Sequence, residues 1–447
     1  MPDLSRSLAT QLLALVQRLP GVRRCWVAYS GGLDSTVLLD LAAGLGARLS
    51  PALAAVHVDH GLNPGSAAWA HHCQRRCAAL GVPLVQRQIE VPVLDGQGPE
   101  AAARAARYAA LSELLVPGDL LLTAHHRDDQ AETLLLALLR GAGVRGLAAM
   151  PQVAALGAGR LVRPLLPFGR ADLQAYARAR GLDWVDDPSN LDLGLDRNWL
   201  RRRVLPLVTE RWPAAGRTLA RSAGHCAEAA ALVDRLAGGE AERLEGERPG
   251  TLSVAGLRRL DAPLCRAVLR HWIVRRGFAV PDTRHLARIM EEVLPARPDA
   301  SPLVVWHGGE IRRYRGDLFA LAPLPPVPVG VELAWWHRSP LDLPIGLGHL
   351  HLCDAAGQDI APENLGLGPL RVRFGVTGLR CRPLGVGHHR PLKHLYQEGG
   401  VPPWLRGYVP LVFAGERLLA VGDLHVCSEA NPSTRGGVRV VWAGRPW

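Results

Sequence analysis

Within the run VAYSGGLDSTVLLDL, from Val27 to Leu41, the Ser-Gly-Gly-Leu-Asp-Ser-Thr segment brings together three aliphatic hydroxyls (Ser30, Ser35, Thr36), a carboxylate (Asp34) and two adjacent residues without side chains, Gly31 and Gly32. Paired glycines between apolar runs let a backbone approach a ligand closely, and the N–H groups at a helix start attract anions through unpaired donors and the positive end of the dipole. Hydroxyls add donors for phosphate oxygens; an acid among phosphates makes sense chiefly when Mg²⁺ lies between them. The residues Ser30, Gly31, Gly32, Leu33, Asp34, Ser35 and Thr36 therefore read as a phosphate loop with Asp34 on a divalent cation. A tight turn is the competing reading of any Gly-Gly pair. No lysine follows as a Walker A loop demands, and no G-x-G-x-x-G is present.

A second constellation lies in TAHHRDDQAET, where His125, Asp129 and Glu132 gather. Asp129 and Glu132 are three apart and share a helical face, a pair that can hold Mg²⁺ or an ammonium group. A merely well-capped helix start would also use Asp-Asp. In EAAARAARY, Arg104 and Arg107 share a face suited to phosphates or to a charged transition state, with a solvated surface as the alternative. HVDHGL adds His57 and His60, either of which could serve chemistry or simply fill the core.

The elements that must position these groups follow from periodicity. Strands are expected at Cys25–Tyr29, Ala52–Val58, Leu84–Val91 and Asp119–Ala124, and helices at Asp34–Leu45, Ser66–Leu80, Pro99–Leu115 and Asp128–Arg140. This alternation predicts an α/β fold, a doubly wound and mostly parallel sheet, with both constellations at the C-terminal strand ends where such sheets bind ligands. An Ala-rich helix over Trp212–Gly239 opens a small, mainly helical part, and the Pro-rich APLPPVPVG reads as a linker to a β-rich α+β tail. The expected domains are 1–212, 213–325 and 326–447.

Fifty-two basic residues face 41 acidic ones, a net charge of +11, and Lys393 is the only lysine. Such an arginine excess suits a polyanionic partner. With no long uncharged apolar run and no signal-like start, a soluble, cytoplasmic protein that does not enter a membrane is expected. Eight dispersed cysteines without a Cys-x-x-Cys pair read as reduced, mostly buried thiols. In the tail, Arg371, Arg373, Arg380, Arg382, Arg390, Lys393 and Arg406 cluster in a density suited to RNA phosphates.

SGGLDS resembles the pyrophosphate loop of the PP-loop ATPases. Taken in order with HVDHGL, EAAARAARY, HHRDDQAET, LLRGAGVRGLAAM, LVRPLL, DDPSN and DRNWLRRRVLPLV, it resembles the tRNA(Ile)-lysidine synthetase family, and the tail resembles that family's long form. The resemblance implies that ATP adenylates the C2 oxygen of the wobble cytidine in a CAU anticodon, after which the amine of free L-lysine displaces AMP. It implies Asp34, Arg104 or Arg107, His125, Asp129 and Glu132 as essential residues, Asp34 and Asp129 on Mg²⁺, Glu132 on the lysine amine, and a carboxylate or His125 as base. His57 joins the ATP-binding set. Asn190, Arg197, Asn198 and Arg201 match a segment expected near the anticodon loop, and the tail cations Arg380, Arg382, Arg390, Lys393 and Arg406 are expected on the tRNA. A homodimer stays open. The rivals are a PP-loop tRNA 2-thiolation enzyme, for which Cys73-x-x-x-Cys77 is a poor cysteine pair, and a nucleic-acid-binding regulator with a dead ATP fold.

Overall fold

The structure, a computed structural model, describes residues 2–49, 52–59, 61, 65–90, 99–297, 300–355, 360–366, 368–428 and 437–444. His60 and the expected strand end at Val91 lie outside them. The chain divides into two compact units, Met1–Val233 and Asp234–Trp447.

The first unit runs α1 (Pro2–Gln17), β1 (Arg24–Ala28), α2 (Leu33–Leu45), β2 (Leu53–Asp59), α3 (Ser66–Ala79), β3 (Leu84–Gln88), α4 (Pro99–Leu114), β4 (Asp119–Leu122), α5 (Arg127–Leu139), α6 (Val144–Leu147), β5 (Val153–Leu156), β6 (Gly159–Val162), α7 (Arg170–Ala179), α8 (Asp196–Trp199) and α9 (Leu205–Arg211). Its sheet has the order β3-β2-β1-β4-β6-β5. All neighbours are parallel except the β5–β6 hairpin. The doubly wound expectation is borne out, and the expected strands and helices lie within a few residues of the observed ones.

Successive residues of a strand point to opposite faces, so a strand buried on both sides must be apolar throughout. Cys25 and Val27 pack with Leu120, Leu122, α1, α2 and α7 on one face. Trp26 packs with Ala54, Val56, Leu121, Leu111 of α4 and Leu115 just past its end on the other. Strand order reverses between β1 and β4, so the loops that leave their C-terminal ends border one crevice. Asp40, inside α2, ties two neighbouring helices to it: it accepts from Arg76 of α3 at 3.1 Å and from the Tyr176 hydroxyl of α7 at 2.9 Å.

A long helix, α10 (Ala215–Arg243), runs from the first unit into the second. The second unit continues with β7 (Leu252–Ser253), α11 (Val254–Leu257), α12 (Ala262–Arg275), α13 (Thr283–Arg288), β8 (Leu303–Trp306), β9 (Gly309–Tyr314) and β10 (Asp317–Leu321). Its strands form an antiparallel sheet, β7-β10-β9-β8, over a core of its own. Then come β11 (Glu332–Trp335), β12 (Leu341–Asp342), β13 (His349–Ala355), β14 (Leu370–Arg373), β15 (Arg380–Cys381), β16 (Arg390–Pro391), α14 (Leu392–Glu398), β17 (Leu411–Ala414), β18 (Arg417–Val421), β19 (His425–Val426) and β20 (Gly437–Ala443). These strands build a five-stranded sheet, a three-stranded sheet and a hairpin around a separate core. The Pro-rich stretch expected as a linker is strapped down: Leu324 and Val327 pack on that core, and Tyr408 donates its hydroxyl to the Pro325 carbonyl.

The expectation of eight reduced thiols is corrected at one pair, because Cys381 and Cys427 form a disulfide with Cα atoms 5.8 Å apart. An antiparallel bridge between Pro383 and Cys427 lays the β15 segment beside the end of β19, and a separation of 46 residues hides that proximity in the sequence. Among the described residues, no helix is long and apolar enough to cross a membrane.

Candidate active site

The loop after β1 is built by its own hydroxyls. Gly31 adopts φ +85°, a region costly for any side chain, and a Cβ there would stand 3.1 Å from Cys73 Sγ. Gly32 caps α2 in an extended conformation. Ser35 Oγ donates to the Gly32 carbonyl at 3.0 Å and lies 3.0 Å from Ser30 Oγ; Thr36 Oγ1 donates to the Gly31 carbonyl at 3.4 Å. From outside, Val185 N–H donates to the same Gly31 carbonyl at 2.9 Å. Much of the hydroxyl set thus shapes the loop, and the helix N-terminus is left facing the crevice.

From the other side of the switch point, β4 leads through Thr123 to His126, which caps α5. Backbone N–H groups of Asp128 and Asp129 donate to His126 Nδ1, while the Asp129 carboxylate accepts from the His126 N–H at 3.0 Å, a reciprocal capping box. With Nδ1 accepting, the imidazole carries its proton on Nε2, 3.6 Å from Asp34 Oδ2 and 3.4 Å from Asp129 Oδ2. Burial opposes a charge on this ring, yet Asp34, Asp129 and Asp128 together lift its pKa above the ordinary value. For Asp129 burial works upward, but His126, His125 and Arg201 hold its carboxyl below the usual range.

His125 behaves oppositely. Burial, aided by the charges of Arg163, Arg104 and Arg197 against that of Asp129, pulls its pKa down to about 3. Its Nδ1 lies 2.9 Å from Thr123 Oγ1. His125 is therefore neutral at neutral pH.

A cleft of about 370 Å³ gathers Ser30, Gly32, Leu33, Asp34, Ser35, Arg104, Arg107, His125, Asp129, Asn190 and Arg201. Gly31 and Thr36 lie outside its wall. His57 stands apart: it is buried against the Tyr29 carbonyl, with Nδ1 2.9 Å away, in the packing behind the loop. Asn198 is turned inward too, donating to the carbonyls of Ser189 and Asp192 at 2.9 Å.

Glu132 is fully buried and bound by two guanidiniums. Arg197 Nε lies 3.0 Å from Oε2; Arg201 donates to Oε1 at 2.6 Å and Oε2 at 2.9 Å, and to Asp129 Oδ1 at 2.9 Å. A second cavity of about 470 Å³ includes His126, Asp128, Glu132, Arg170, Arg201 and Arg217. Arg170 and Arg201 line both cavities.

In the second unit, several expected RNA contacts are engaged within the chain. Arg390 pairs with Glu398, Arg380 donates to the His389 carbonyl at 2.9 Å, and Arg406 donates to the Val401 carbonyl at 3.1 Å. Lys393 is exposed and Arg382 half-buried. Sequence reasoning did not single out His126 or Val185. For His126 the signal was its place at the N-cap of an Asp-Asp helix start.

A glycine loop feeding a helix N-terminus at the switch point of a parallel sheet, facing two carboxylates, defines a nucleotide-phosphate site of the PP-loop class. The family description "PP-loop domain" matches residues 4–208, "TilS substrate binding domain" residues 252–319 and "TilS substrate C-terminal domain" residues 370–442. Among curated proteins, a tRNA(Ile)-lysidine synthase of Methylococcus capsulatus is 47% identical over 403 residues, covering 89% of this chain and 90% of the relative. One of Alkalilimnicola ehrlichii is 45% identical over 442 residues, 98% and 97% of the two chains, and one of Escherichia coli O157:H7 is 40% identical over 96% and 99%. The chain belongs to the tRNA(Ile)-lysidine synthase family.

Proposed function

We propose that this ATP-using, tRNA-modifying ligase joins free L-lysine to C2 of the wobble cytidine of a CAU-anticodon tRNA(Ile), through an adenylated cytidine, so that AUA is read in place of AUG. The observation that carries the reading is the convergence of the glycine loop, Asp34 and Asp129 on one cleft, in a chain that matches this family over nearly its full length.

The residues fit Mg²⁺. Asp34 Oδ1 is buried without a hydrogen-bond partner, and a hard cation is satisfied by carboxylate oxygens. Asp34 and Asp129 would hold it, and it would supply charge neutralisation to the pyrophosphate. The α2 N-terminus at Gly32 to Asp34 orients the phosphates of ATP, and Arg104 and Arg107 counter charge that develops there.

An amine attacks only without its proton. An ε-ammonium entering a cleft lined by Arg104, Arg107, Arg170 and Arg201 has its charged form disfavoured by like charge. His125, neutral but weakly basic, accepts a proton only transiently. We assign Glu132 to orienting the amine, which requires Arg197 or Arg201 to release it; phosphates of the anticodon loop compete for those guanidiniums. Asn190 and the tail cations Arg382 and Lys393 bind RNA, and a tRNA substrate suits a cytoplasmic enzyme. We keep three domains, 1–212, 213–325 and 326–447, as the functional division.

The thiolation reading is weaker. Cys73 and Cys77 are buried and do not line the cleft, and burial pushes their thiols up to about 12 and about 11. The deciding assay is incorporation of labelled lysine into a CAU-anticodon tRNA(Ile) transcript with ATP and Mg²⁺, with the methionine tRNA as control. Label on the isoleucine tRNA alone supports the reading; ATP turnover without lysine transfer returns the thiolation alternative.

A further inference from the structure

Trp404 stands close behind the tail cations in the sequence. Trp404 lies in the short helical stretch Pro403–Tyr408, and its ring meets Tyr314 of β9 edge-on at 6.2 Å between centroids and Phe319 of β10 at 5.6 Å. The Arg312 guanidinium, held 2.6 Å from Glu310, lies 5.3 Å over the same ring.

Other bonds flank this contact. Arg248 stacks on Tyr314 and Phe319 at 5.7 and 5.8 Å and donates to the Gly400 carbonyl, and Arg315 donates to the Gln397 carbonyl. Edge-on aromatic pairs and cation–π contacts each contribute beyond the area they bury. Their concentration on one half-buried side chain, beside a Pro-rich segment that is itself strapped to the C-terminal core, makes the seam between residues 234–321 and 322–447 a joint rather than a hinge.

We propose that Trp404 is a positioning residue for the tRNA reaction: clamped by β9 and β10, it makes the two parts of the second unit one rigid arm that presents its cations to the RNA in a fixed frame. The proposal rests on the tRNA reading above. Two binding surfaces held in one frame act with a high effective concentration, and a loosened joint forfeits part of it without touching the chemistry.

The test uses full-length Trp404→Ala, Trp404→Phe and Arg248→Ala proteins, lysine incorporation on whole tRNA(Ile) and on an isolated anticodon stem-loop, and limited proteolysis across 322–330. Trp404→Ala is expected to raise KM for whole tRNA about tenfold, leave kcat and the stem-loop kinetics unchanged, and speed cleavage in 322–330. Trp404→Phe restores most of the loss, and Arg248→Ala, which spares the ring, shifts KM and cleavage in the same direction. Unchanged KM and cleavage in Trp404→Ala, or equal losses on tRNA and stem-loop, overturn the proposal. A wild-type chain inactive on both RNAs overturns the lysidine reading instead, while the cleavage pattern still decides whether the joint exists.

Discussion

His126 joins the two halves of the site: its Nε2 lies 3.6 Å from Asp34 at the start of α2 and 3.4 Å from Asp129 in the first turn of α5, and its other nitrogen caps α5. A group that holds two candidate metal carboxylates tunes them without touching substrate, and losing such support costs about ten- to a hundredfold in metal affinity or activity. His126→Ala is expected to show that loss and, through the missing cap, to cost about 1 kcal/mol of stability. Asn keeps a cap acceptor, so His126→Asn should recover the melting temperature but not the Mg²⁺ dependence of adenylation. Recovery of both would reduce His126 to a cap.

His125 makes a pH prediction. Its pKa falls from 6.5 to about 3 on folding, so between those values the unfolded chain binds more protons than the folded one. The stability it contributes is fully present above pH 6.5 and is lost as pH falls toward 3. Urea midpoints from pH 7 to 4 should fall less steeply for His125→Gln than for the parent. Parallel curves would mean that the ring is not held neutral.

Glu132 is the buried centre of an ion-pair cluster, and breaking such a cluster by removing one partner costs about 3–5 kcal/mol. Glu132→Ala leaves Arg197 and Arg201 facing each other without their shared carboxylate, and chemical denaturation should show that loss. Arg197→Ala should cost less, since Arg201 retains bonds to both Glu132 oxygens. Assayed where it stays folded, Glu132→Ala should accumulate adenylated tRNA and fail to transfer lysine. Loss of adenylation would instead make Glu132 a support for Asp129 through Arg201.

The sheet was legible because its central strands are apolar enough to be buried on both faces and several helices open on Asp, Ser or Pro, signals confined to a dozen neighbouring positions. The β5–β6 hairpin was not anticipated, since ValAlaAlaLeu and GlyArgLeuVal are too short for any period to emerge. In the site, Asp34 and Asp129 were readable from local spacing. The pairing of Glu132 with Arg197 and Arg201 was not: they lie 65 and 69 residues apart, and Arg201, opening an Arg-Arg-Arg run, signals only charge. The Cys381–Cys427 bond was hidden for the same reason.

Gly31 and Gly32, equivalent in the sequence, should respond differently to alanine. At Gly31 the φ of +85° is unfavourable for any Cβ, and that Cβ would press on Cys73 Sγ, which is buried and cannot retreat; strain of this kind costs about 1–3 kcal/mol. At Gly32 the backbone is extended, with φ −74° and ψ 166°, and a Cβ would meet Ser30 Oγ at 3.5 Å, an ordinary contact. Gly31→Ala should therefore lower the melting temperature, whereas Gly32→Ala should fold normally and, on the phosphate reading proposed above, lose ATP binding, because a Cβ at the N-cap crowds an anion drawn to the helix terminus. Thermal melts with and without ATP and Mg²⁺ separate the two: the nucleotide should shift the parent and not Gly32→Ala. A Gly32→Ala protein that ATP still stabilises fully would place the phosphates elsewhere than on this loop.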